Sequence, residues 1–167
     1  MLKQELTVII YTENNIGLLS RIAAIFSRRR INIESLNIAA SEVEGIHRFT
    51  IVIFDAKDVI QKLCQQIEKQ VEVFKCFYYT NEEIVWQEQA LYKVTNSPAN
   101  HAAFEKLLLE NGGKRLNSTK DNYTIFETTG TPEATIALVK RLESLGLAEF
   151  VKGGRIAVSK SDVILIV

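Results

Sequence analysis

An α+β fold of two tandem βαββαβ units is what this sequence predicts, on three observations. In the first half, apolar and alternating runs of strand length bracket two stretches whose apolar residues recur at helical spacing. A polar segment, Thr80-Asn81-Glu82-Glu83, then interrupts the pattern. After it the same order of elements returns, so the chain divides into units of about 75 residues each. The expected boundaries are 1–80 and 81–167.

The first strand is the apolar run Leu6-Thr7-Val8-Ile9-Ile10-Tyr11, which reads as a buried strand. Glu13-Asn14-Asn15-Ile16-Gly17 turns the chain into a helix expected over Gly17–Arg30. On it Leu18, Ile22 and Ile25 share a face flanked by Leu19, Ala23 and Phe26, a wide stripe suited to packing on a sheet. Arg28, Arg29 and Arg30 fall in its last turn, where cations complement the macrodipole, and read as a solvated helix end. Asn32–Ala40 alternates with period two, the mark of a half-buried strand. A turn at 41–45 leads to a third strand over His47–Phe54. A second helix is expected over Asp58–Gln70, with Val59, Leu63, Ile67 and Val71 on its apolar side, followed by a strand over Val73–Tyr79.

The second unit begins with a strand over Glu88–Val94 and a helix over Pro98–Glu110, with Ser97 as N-cap and Pro98 at its first position. Asn111-Gly112-Gly113 stops that helix. A hairpin of Lys114–Ser118 and Tyr123–Thr129 turns around Lys120-Asp121-Asn122. Thr131-Pro132-Glu133 opens the last helix, which ends near Gly146, and a final strand starts near Ala148. Ile156-Ala157-Val158 and Val163–Val167 remain as apolar tails. Each unit is a ferredoxin-like arrangement, with four antiparallel strands and two helices on one face. The other sheet face must be covered by the sibling unit or another subunit, and free edge strands favour pairing between chains.

Lysine plus arginine and aspartate plus glutamate number 20 each, and neither half departs from balance by more than one charge. That disfavours nucleic acid, which calls for a basic surface. The same topology hosts RNA-binding modules, but Phe49 and Phe54 come without their basic–aromatic signature. No apolar run reaches the roughly 20 residues of a membrane span, and no secretion signal is recognisable, so the cytoplasm is expected. Cys64 and Cys76 match no zinc spacing and read as buried thiols. His47 and His101 stand apart from any nucleophile or carboxylate pair, and no Gly-rich phosphate loop occurs. Trp86, Tyr78 and Tyr79 read as packing groups. No acid, base or nucleophile is set apart, so an enzyme is the least favoured class.

What the 13–36 segment offers is a strand, a glycine turn and a helix N-terminus, which aims free backbone amides at a small anion. At Glu13-Asn14 with Gly17, and at Arg28-Arg29 with Asn32-Ile33-Glu34-Ser35-Leu36, the chain resembles the ACT domain of the small regulatory subunit of acetolactate synthase (acetohydroxyacid synthase). The likeness continues in Arg48-Phe49-Thr50-Ile51-Val52, in Lys69–Lys75 and, more weakly, at Gly153-Gly154-Arg155-Ile156-Ala157.

The resemblance implies a non-catalytic subunit that binds a thiamine-diphosphate enzyme, raises its activity and transmits feedback inhibition by valine or a related branched-chain amino acid. It implies no cofactor on this chain, with thiamine diphosphate, Mg and FAD on the catalytic partner. It also implies a homodimer through ACT domains, with the effector between them. Asn14 and Gly17 match the first strand–helix turn, and Asn32 matches the asparagine reaching across from the other subunit. Ser20 and Ala39 match positions tied to effector response. Gly17 and Leu18 amides would receive the carboxylate, the Asn14 and Asn32 carboxamides would orient the ligand, and Ile16 and Ile33 would suit a branched side chain. The usual glycine and aromatic after the paired basic residues are here Arg30 and Ile31, so the helix end is expected to differ. A free-standing ACT-type amino-acid sensor acting on another protein is the alternative.

Overall fold

The computed structural model describes residues 2–96, 101–118 and 123–161. Its elements follow the order β1 (Gln4–Glu13), α1 (Leu18–Arg28), β2 (Ser35–Ala40), β3 (Ile46–Asp55), α2 (Lys57–Ile67), β4 (Val73–Thr80) and β5 (Ile84–Thr95). Then come α3 (His101–Glu110), β6 (Lys114–Ser118), β7 (Tyr123–Gly130), α4 (Pro132–Glu143), β8 (Leu147–Lys152) and β9 (Ile156–Ser159). The expected Ser97 cap, Pro98, the Lys120–Asn122 turn and the 163–167 tail lie outside the described residues.

Two compact units result, but the division departs from a cut after Thr80. One unit takes the chain up to Trp86 and again from Gly154, and the other is Gln87–Gly153. The C-terminal stretch expected in the second unit therefore belongs to the first. Ile156-Ala157-Val158, expected as an apolar tail, forms β9, which pairs with β5. The Lys160 amide donates to the Glu83 carbonyl just ahead of that strand.

The first unit has the antiparallel order β2-β3-β1-β4. Leu6, Val8 and Ile10 of β1 point into one core with Leu18, Ile22, Ile25 and Phe26 of α1 and Ile60, Leu63 and Ile67 of α2. Alternation sends Thr7, Ile9 and Tyr11 to the opposite face, where Ile9 and Tyr11 cluster with Ile46, Phe77 and Tyr79. β1 is buried on both faces, which is why its sequence is nearly all apolar. Part of that opposite face is taken by the chain's own C-terminal return: Arg155 and Ala157 are both buried, and Arg155 donates to the Thr7 hydroxyl.

Three local expectations are corrected. α2 stops at Ile67 and its buried stripe is Ile60, Leu63, Cys64 and Ile67, while Val71 is exposed. Val71 lies four residues beyond the helix end, so the i, i+4 spacing that groups it with Ile67 no longer places it on the helix's inward face. β2 begins at Ser35, not Asn32; Asn32 and Ile33 belong to no strand and Glu34 lies in a bend, although its amide donates to the Val52 carbonyl.

The third correction is the end of α1, which is closed normally despite Arg30. The Ile31 amide donates to Phe26 and the Arg30 amide to Ser27, a Schellman ending with Arg30 left-handed at φ 57°. Ile31 and Phe26, both buried, supply its hydrophobic contact.

The second unit repeats the plan as β6-β7-β5-β8. Ala90, Tyr92 and Val94 of β5 and Phe126 of β7 pack on Phe104 and Leu108 of α3 and Leu138 and Leu142 of α4. Thr131 caps α4, its hydroxyl accepting from the Ala134 amide, with Pro132 in the first turn.

Candidate functional site

The turn between β1 and α1 is fastened on its sheet side and bare on the other. The Glu13 amide donates to the Glu72 carbonyl, and the Asn14 amide to the Gly45 carbonyl of the β2–β3 turn. Asn15 Nδ2 donates to Glu13 Oε2 at 2.8 Å. Gly17 is the helix N-cap in a left-handed conformation, φ 83°, which glycine adopts without strain. Having no side chain, it leaves the helix without the usual capping bond, and no acidic residue stands in the first turn. By contrast α4 has both Thr131 and Glu133 at its N-terminus. The positive end of α1 is thus left for something other than its own chain.

Not all the expected donors are available. The Leu18 amide closes a turn onto the Asn15 carbonyl at 3.2 Å, so it is not a spare donor to a carboxylate. Its side chain is buried in the core. Helix geometry leaves the Leu19 and Ser20 amides without an i−4 partner inside α1, so with Gly17 they are the better donors. Asn14, Ile16, Gly17 and Ser20 are all exposed, Ile16 completely so at 105% of its reference surface.

Asn32 and Ile33 lie at the other end of α1. The helix spans Leu18–Arg28, 11 residues, so the two groups are separated by about 16 Å along its axis. Asn32 is exposed and its Nδ2 donates to Glu34 Oε1 at 2.7 Å, while Ile33 is half-buried against the core. One protomer therefore does not bring Asn32 to the Gly17 turn. Ala39, in contrast, does lie at the Gly17 end. It pairs with Arg48, next to the Ala40–His47 pair and the turn whose Gly45 holds Asn14. Ala39 is exposed on β2, an edge strand with a free backbone side.

Beside the turn, Arg21 of α1 donates to Glu72 at 2.6 Å, and this bond, with a backbone one, holds the Glu72 carboxyl below its ordinary range. It ties the first turns of α1 to the loop before β4. The thiols of Cys64 and Cys76 lie together in the core, where their mutual contact and burial push Cys76 upward. Among the described residues no group of three His, Cys, Asp or Glu side chains is placed to hold a metal, and no helix is long and apolar enough to cross a membrane.

One constellation escaped the sequence reading. Arg155 is buried to 1% exposure; its Nη1 donates to Thr7 Oγ1 and Asn81 Oδ1, and its Nη2 to Glu5 Oε1 at 2.7 Å. Its guanidinium carbon stands 3.5 Å from the centre of the Trp86 ring. The only hint was a lone cation set in a small-and-apolar run after two glycines.

Comparison with known proteins places both units. The family model described as "AHAS small subunit-like ACT domain" matches residues 8–75, and that described as "Small subunit of acetolactate synthase" matches residues 87–161. The acetolactate synthase small subunit of Mycolicibacterium smegmatis is 30% identical over 92% of this chain and 90% of its own length. That of Bacillus subtilis is 28% identical over 88% of this chain and 86% of its own. The crystal structure of the small subunit from Thermotoga maritima superposes with a TM-score of 0.84 at 27% identity, covering 96% of this chain and 99% of that one.

Proposed function

Since the chain belongs to the acetolactate synthase small-subunit family, we propose that it is the regulatory partner of an acetolactate synthase catalytic subunit. It raises that partner's activity and mediates feedback inhibition by valine or a related branched-chain amino acid. Thiamine diphosphate, magnesium and FAD are carried by the catalytic partner, and the present chain contributes no reacting group.

The observation that carries the effector site is the pair of ends of α1. The uncapped N-terminus offers the amides of Gly17, Leu19 and Ser20 to a carboxylate, with Asn14 beside them for the ammonium. The second asparagine, Asn32, stands about 16 Å away along the same helix, so it can complete a site only from another copy of the chain. A homodimer with two such shared sites meets that geometry, with Ile16 of one protomer and Ile33 of its mate as the apolar walls. Exposure of Ile16 on a single chain is what such an interface leaves behind. Millimolar affinity, about −4 kcal/mol, is within reach of a few amide bonds and a small apolar wall.

Gly17→Asp tests this directly. A Cβ at Gly17 has no atom within 4 Å, so the aspartate meets only the modest cost of a left-handed backbone. Its carboxylate then occupies the positive helix end itself. Calorimetry is expected to show valine binding to the wild-type dimer and none to the variant, with the far-UV spectrum unchanged. Equal binding by the two proteins would refute the site. Mixing the chain with its cognate catalytic subunit should stimulate acetolactate formation; no stimulation would refute the subunit role.

A further inference from the structure

The polypeptide passes between the two units twice, at Trp86–Gln87 within β5 and at Gly153–Gly154 after β8. The first-unit side of each crossing is held by the same contact. Trp86 and Arg155 stack at 3.5 Å, and Arg155 is anchored in turn to Glu5 and Thr7 of β1 and to Asn81 of the β4–β5 turn. A guanidinium can lie flat on an indole and donate from its edge at once, which an ammonium cannot.

The strap that follows the second crossing is pinned along its length. Arg48 Nη2 of β3 donates to the Ala157 carbonyl, and Lys160 reaches the carbonyls of Glu82 and Glu83 with its Nζ and its amide. Gly154 lies so close to β2 that a Cβ would come within 3.1 Å of the Leu36 carbonyl and 3.2 Å of Ser35 Oγ. β2 begins three residues after Asn32. The strap therefore touches the strand that continues from one half of the effector site, and at its other end is continuous with β8 of the second unit.

We propose that the Arg155–Trp86 stack is a latch that fixes both chain crossings to the first unit, and that effector occupancy alters the second unit only while it is closed. This rests on the regulatory reading above. The latch acts through position: Arg155 and Trp86 touch neither the turn at Gly17 nor Asn32. Loosening it should leave valine binding intact and break the link between binding and response.

The test uses the full chain and the reconstituted holoenzyme, with Arg155→Met and Trp86→Leu. Valine affinity by calorimetry is expected to stay within about threefold, while the concentration for half inhibition rises by about 5- to 150-fold, the range of ordinary allosteric couplings. Trp86→Phe, which keeps an aromatic face, should retain the response. Wild-type inhibition in the Arg155→Met and Trp86→Leu holoenzymes would overturn the proposal, as would a loss of valine binding parallel to the loss of inhibition. Hydrogen exchange on the free chain needs no valine. Arg155→Met should speed exchange at residues 155–160 and at Trp86 and Gln87 together, leaving β1 and β3 protected; exchange unchanged at 86–87 would overturn the latch. Should the wild type fail to bind valine, the regulatory reading fails, and the exchange result still decides the latch.

Discussion

Replacing Arg30 by glycine should stabilise the first unit, because Arg30 is the one non-glycine at positive φ among the described residues. A left-handed backbone costs an L-residue about 1–2 kcal/mol. Glycine avoids this but loses more freedom on folding, a cost of about 0.5–1 kcal/mol. The guanidinium is exposed, so little else is lost with it. The net gain is about 0.5–1 kcal/mol, or about 2–6 °C in Tm for a unit of roughly a hundred residues. The single tryptophan, Trp86, belongs to that unit, so its fluorescence during urea titration follows the right transition. Arg30→Ala keeps the strain and removes the charge, and should move the midpoint far less than Arg30→Gly. A glycine variant no more stable than wild type would refute the reasoning. An alanine variant equally stabilised would assign the gain to relief of repulsion among Arg28, Arg29 and Arg30.

Acid should open the latch from the Glu5 side. Burial alone would raise the Glu5 pKa, but hydrogen bonds from Asn81 and Arg155, with the arginine's charge, outweigh it and hold the carboxyl below its ordinary value. A depressed pKa stabilises the fold above the unfolded-state value, about 4.3, and that contribution is lost as pH falls through the lower folded value. Trp86 emission should change in that acidic window. Glu83 is also held low by the Thr80 amide and hydroxyl, so Glu5→Gln is the control, and an unaltered acid transition in it would refute the role of Glu5. The two units should also respond separately to core truncation. Ile60→Ala removes a fully buried side chain from the first core and should cost about 2–5 kcal/mol, read by Trp86 fluorescence. Leu108→Ala should cost a similar amount in the second core and appear in circular dichroism without moving the Trp86 midpoint.

Much of the fold was legible because the strongest elements are patterned on both faces. Leu6–Tyr11 reads as a buried strand since β1 has a core on either side. Gly17 reads as a turn because the helix start needs a left-handed residue there. Asn32–Ile38 alternates as a strand does, yet ladder pairing begins only at Ser35; side chains alternate in any extended chain, and pairing is not encoded in that period. β9 was illegible for a different reason. Its four residues carry too little pattern, and its partners, β5 and Arg48, lie about 70 to 110 residues earlier in the chain. The candidate turn was readable from glycine and asparagine chemistry, and the separation of Asn32 from it from the helix expected between them, whereas the loss of the Leu18 amide to the Asn15 carbonyl was not.

The two ends of α1 each give up stability that the same chain secures elsewhere. At the N-terminus the missing side-chain cap forgoes about 1 kcal/mol and the absent first-turn acid a further 0.3–1 kcal/mol. Thr131 and Glu133 show that α4 takes both. At the C-terminus Arg30 stands strained in a left-handed position that glycine fills without strain. A carboxylate bound over Gly17 would supply the acceptor and the negative charge together, so the stability forgone at the uncapped turn would become affinity for the ligand. A side chain that satisfied the helix permanently would compete with every effector molecule. The uncapped start of α1 is thus what the proposed reversible sensor would require, and the test at Gly17 is a test of that requirement.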